Sequence, residues 1–94
     1  MPIATLLLTL HLPGVNSLKA KRHVIKPLLT RLHKEFNISV AEVGMHDHWQ
    51  NAQIQVVMVG NDPKILNACL GQICQFCRDN WPDLLIVDEK FEPV

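Results

Sequence analysis

Aromatic residues are scarce in this sequence: three phenylalanines, two tryptophans and no tyrosine, 5% of 94 residues. A sheet surface built from paired aromatics, the device of RNA-reading sandwiches, is therefore excluded. Net charge is also missing, with nine Lys and Arg against nine Asp and Glu. A neutral chain is a poor non-specific coat for nucleic acid, although a local anion site remains open to it. No apolar run approaches the roughly eighteen residues of a membrane span. Nucleophile motifs, a glycine-rich phosphate loop and a dinucleotide fingerprint are all absent. A non-enzymatic module without a cofactor is expected, and no catalytic residue is assigned. The three cysteines are an odd number, which with no signal peptide points to a reducing compartment. The opening MPIATLLLTLHL lacks a basic leader and alternates, so it reads as a strand rather than a signal core. A cytoplasmic location is expected.

What the chain does have is a basic amphipathic segment, Ser17 to Asn37. Ser17 is suited to cap a helix. Behind it Val24, Ile25, Leu28, Leu29, Leu32 and Phe36 recur at helical steps as one apolar stripe. Lys19, Arg22, Lys26 and His33 fall on one flank of that stripe. This segment carries Lys19, Lys21, Arg22, Lys26, Arg31 and Lys34 against Glu35 alone, and the rest of the chain is mildly acidic. Cations in the first turns oppose the helix macrodipole at about 0.3–1 kcal/mol each. Lys21 points nearer the apolar stripe than its neighbours do, so its stem is expected to pack while its charge reaches out. Pro27 lies inside the pattern and predicts a kink near His23–Lys26 or a helix in two pieces.

The other elements follow in order. Leu6, Leu8, Leu10 and Leu12 form one face of a strand that Pro13-Gly14 ends. Ile38–Val43 alternates as a second strand, with Ser39, Ala41 and Val43 opposite Ile38, Val40 and Glu42. Residues 44–48 read as a loop, and Trp49–Gly60 contains a third strand. Asn61-Asp62-Pro63 starts a second helix, with an acidic cap and proline at the first helical position. That helix ends near Trp81-Pro82, and Leu84–Phe91 is a last strand. Strand–helix–strand–strand–helix–strand predicts a single domain over residues 1–94, an α+β ferredoxin-like sandwich. Its antiparallel sheet has order 4-1-3-2 with both helices on one face. The other face would carry Ile3 and Leu7 beside Val57 and Val59, an apolar area that implies self-association.

Several strings resemble the YlxP-like family, a small bacterial family filed as a domain of unknown function. They are Pro13-Gly14 with Ser17-Leu18-Lys19-Ala20-Lys21-Arg22, then Phe36-Asn37-Ile38-Ser39-Val40-Ala41-Glu42-Val43, Asp47 with Trp49-Gln50, and Asn61-Asp62. The resemblance covers nearly the whole chain and implies a ferredoxin-like fold. It also implies a link to translation, because genes of the family often neighbour those for translation initiation and ribosome maturation. The chain departs from the family pattern at Pro27, in its paired histidines and in its cysteine-bearing second helix.

Two functional readings result. In the first, Ser17, Lys19, Lys21, Arg22 and Lys26 bind phosphates of RNA, ribosomal RNA or the ribosome being the expected partner. Replacing Lys21 or Arg22 by glutamate is then expected to abolish most RNA binding and leave the fold intact. In the second, the basic helix only solubilises, its charges pairing with Asp47, Glu42 or a partner. Ile3, Leu7, Glu42, Trp49, Val57 and Val59 would then meet a partner or a second copy. Trp49 is suited either to stack on a base or to close the end of the core. His46-Asp47-His48 offers a zinc-like spacing, but no third ligand is set by the pattern, and no metal site is expected. Cys69, Cys74 and Cys77 have one iron–sulfur spacing but no fourth cysteine, and they fall on or near an apolar helical face, where a free thiol is a small hydrophobe.

Overall fold

The computed structural model describes residues 2–93. Its elements are β1 (Ile3–His11), α1 (Leu18–Glu35), β2 (Ser39–Gly44), β3 (Asn51–Val59), α2 (Pro63–Asn80) and β4 (Leu85–Pro93). The four antiparallel strands form one open sheet in the order β2-β3-β1-β4. This is the ferredoxin-like βαββαβ arrangement and the strand order that the sequence predicts.

β1 is central because its alternation is the cleanest in the chain. Ala4, Leu6, Leu8 and Leu10 are buried, and the residues between them are half-buried. Gly14, at φ 79, takes the left-handed turn after β1 that a side chain would disfavour. The Ser17 hydroxyl then accepts from the Ala20 amide at 3.0 Å and caps α1. Asp62 caps α2 in the same way, accepting from the Lys64 amide at 2.9 Å.

Register shows that both helices cover one face. Glu42 pairs with Ile54, Ile54 with Leu8, and Leu8 with Glu89, so these four side chains share a row across the sheet. Lys21 of α1 holds Glu42 at one edge, and Arg78 of α2 holds Glu89 at the other. Between the edges, Ile25, Leu28 and Leu32 of α1 and Leu66, Leu70, Ile73, Cys74 and Cys77 of α2 are buried against the strand leucines. Near the C-terminal ends of the helices, Phe36, Phe76 and Trp81 make edge-to-face contacts at 5.5 and 6.0 Å.

Pro27 does not divide α1, which continues as one element from Leu18 to Glu35. The missing N–H would have served the carbonyl of His23, and both residues lie on the exposed side, where water can replace the bond. Ile25 on one side of the proline and Leu28 on the other are both buried, so packing holds the helix together across it.

Candidate functional site

Lys19, Arg22 and Lys26 stand at helical steps of three and four and are all exposed. They border, with His23 and Pro27, a depression of about 290 Å³ on the outer side of α1. Among the described residues, no carboxylate makes a salt bridge to any of these three cations; the ion pairs are Lys21–Glu42, Arg31–Glu35 and Arg78–Glu89. His23 escaped the sequence reading, although its place four residues after Lys19 was a usable signal. His33, expected on the same flank, is exposed further along the helix and does not line the depression.

Lys21 departs from the basic patch proposed for it. Only 3% of its side chain is exposed; its Nζ lies 2.9 Å from Glu42 Oε2 and donates to the Met45 carbonyl at 2.7 Å. The contact with Glu42 is one of charge, since Oε2 has no aligned hydrogen-bond donor among the described residues. The ammonium is turned inward, as the alternative pairing with Glu42 required. A glutamate at position 21 would place a second carboxylate against Glu42, so the expectation that this change spares the fold is corrected. Glu42 lies on the helix-covered face, engaged by Lys21, apart from the open face that Ile3, Leu7, Val57 and Val59 share. Ser17 contributes its hydroxyl to the cap, which leaves that oxygen committed to Ala20.

The lysine also positions a loop. Met45 has a left-handed backbone, φ 59, which is rare for a side chain of its size. The Met45 carbonyl takes both the Lys21 ammonium and, at 3.0 Å, the His48 amide. At the loop's other end the Leu12 amide donates to the Gln50 carbonyl at 2.8 Å. The turn from Met45 to Gln50 is thus tied to the start of α1 and to the segment leading into it. Trp49 projects from this turn, 53% exposed and outside the core. The strings around Ser17–Arg22, Glu42, Asp47 and Trp49-Gln50 therefore meet at one end of the molecule.

On the open face, Ile3 pairs with Val59 and Thr5 with Val57. Val57 and Val59 are exposed; Ile3 and Leu7 are half-buried. Thr5, Thr9, Gln53, Gln55 and the charged Asp88, Lys90 and Glu92 share this face and separate the apolar end near Ile3 and Val59 from Leu85, which is exposed opposite His11 at the other end.

His46 and His48 are exposed, and His46 Nε2 lies 3.3 Å from the Glu42 carbonyl. Among the described residues, no group of three or more His, Cys, Asp or Glu is arranged to hold a metal ion. Cys74 and Cys77 are buried thiols. Burial, with Glu89 nearby, pushes Cys74 up to about 11, and burial, with Cys74 nearby, pushes Cys77 up to about 12. Neither is a nucleophile near neutral pH. No helix among the described residues is long and apolar enough to cross a membrane.

The fold thus defines a small ferredoxin-like domain with a basic outer helix face. The family model described as "Protein of unknown function (DUF503)" matches residues 3–90, and the chain belongs to that family. It is also similar to the "Uncharacterized protein YlxP" of Bacillus subtilis (strain 168). The two are 34% identical over 69 residues, which is 73% of this chain and 74% of the relative.

Proposed function

We propose that this protein is an RNA-binding module that grips phosphates through Lys19, Arg22 and Lys26. The observation that carries the reading is that these cations are exposed, without carboxylate partners among the described residues, and gathered around one depression. Free cations in a chain of zero net charge make a local anion surface rather than a general one. Arginine can hold a phosphate through two donors, and the lysines act as point charges along the strand. Ribosomal RNA is the partner class we favour, in the cytoplasm.

The test is a titration against ribosomal RNA at two salt concentrations, with Arg22→Glu, Lys26→Glu and the exposed Lys34→Glu as control. The first two changes should weaken binding and each reduce the salt slope by about one. Affinities equal to wild type across the set, with the fold intact, would overturn the reading.

A second reading has its own observation. Ile3, Val57 and Val59 form an apolar end on the open face, suited to burial against a second copy. Light scattering that reports only monomer at high micromolar concentration would remove it.

A further inference from the structure

We infer that the RNA is single-stranded and that Trp49 provides a stacking face for one of its bases; this rests on the phosphate-binding reading above. Trp49 contributes little to the fold, being half-exposed and outside the core cluster. Trp81, by contrast, is half-buried against Phe76 and lies under the Arg31 guanidinium at 5.8 Å. An indole exposed in this way leaves a ring face open to a stacking partner.

The turn that carries Trp49 is held rather than loose. Lys21 ties its Met45 end to the first turns of α1, and Leu12 ties Gln50, the residue after Trp49, to the segment entering α1. The indole is therefore kept at the same end of the molecule as Lys19 and Arg22. Around it, Asp47, His48, Gln50 and Asn51 line an open depression of about 420 Å³. Each has a side chain that can donate to or accept from a base edge. Asp47 would repel a phosphate there, which favours bases over backbone in this depression. Phosphates on the basic face of α1 and a base on Trp49 together describe a strand with unpaired bases. A duplex keeps its base faces stacked and would engage only the cations.

The experiment is a low-salt titration, read by tryptophan fluorescence and by anisotropy of labelled RNA. Its ligands are a short single-stranded oligoribonucleotide and the same strand annealed to its complement. The single strand should bind more tightly and quench the emission. Trp49→Ala should weaken single-strand binding by about ten- to a hundredfold and leave duplex binding unchanged. Trp49→Phe should keep most of the affinity, and Trp81→Phe should keep the quenching. Circular dichroism checks that each variant is folded. Equal binding of single strand and duplex, unaffected by Trp49→Ala, would overturn this inference and leave the phosphate reading standing. Failure of the wild type to bind either RNA would overturn both.

Discussion

The two helices are each eighteen residues long, each capped by a side chain and each joined to one edge of the sheet by an ion pair. They differ in how far they obey local rules. α2 begins with an acidic cap and proline, fills its stripe with leucine, isoleucine and thiols, and leaves Arg78 half-exposed where it meets Glu89. α1 opens with Lys19, Lys21 and Arg22, buries a lysine and carries proline in its interior. α2, with the single cation Lys64 in its first turn, departs less from local preference than α1, whose stability depends more on tertiary packing. Such conflicts concentrate at functional surfaces, and here they fall on the helix that bears Lys19, Arg22 and Lys26, which have no carboxylate partner among the described residues.

The sharpest way to break this comparison is to reverse the charge at the two edges. Lys21→Glu should cost about 4 kcal/mol or more, close to the whole stability of a small domain, because it leaves two partly buried carboxylates facing each other. The double change Lys21→Met with Glu42→Leu should return most of that loss, since a buried pair can be exchanged for apolar groups of similar volume. Arg78→Glu, at the more exposed edge, should cost at most about 2 kcal/mol, since the pair and the like-charge contact that replaces it are both screened by water. Urea unfolding of the four proteins compares them; equal losses at both edges would show that burial does not distinguish the pairs.

A smaller effect is expected at Pro27. Pro27→Ala gives His23 back its helical hydrogen-bond donor and should stabilise the domain by about 1–3 kcal/mol. A thermal midpoint below that of the wild type would show instead that the proline sets a helix geometry the core depends on.

The thiols of α2 give an effect confined to alkaline solution. From an ordinary thiol value of 9.0, burial raises Cys74 to about 11 and Cys77 to about 12 in the folded chain. Below pH 9.0 both states hold the protons and the thiols add no pH dependence. Above it the unfolded chain binds fewer protons, so stability should fall as pH rises towards the folded values. Urea midpoints at about pH 7 and about pH 10 measure the fall. The Cys74→Ala, Cys77→Ala double variant should show a shallower one, and identical slopes would show that the thiols titrate alike in both states.

Most of the architecture could be read before any coordinates. The leucine alternation of β1, the Ser17 cap and the Asp62-Pro63 start each follow from local chemistry, and the structure has all three. The exposed cations at Lys19, Arg22 and Lys26 follow from helical spacing alone. Lys21 was harder. Its angle towards the stripe was visible, but whether its charge snorkels out or turns inward depends on Glu42, which comes from another strand. The fate of Pro27 was also hidden, because its cost is local while Ile25 and Leu28, which hold the helix across it, act through the core.

The sequence by itself therefore determined the element order, the buried stripes and the basic character of α1, since period and composition act within a few residues. Tertiary structure alone decided which cation is removed from the basic face, where the Met45–Gln50 turn is anchored and that Trp49 stays exposed. Those outcomes depend on a lysine on α1, a carboxylate on β2 and a backbone carbonyl in the following loop meeting within hydrogen-bond or ion-pair distance. Long-range contacts of that kind arise only when the sheet and its helix cover have formed.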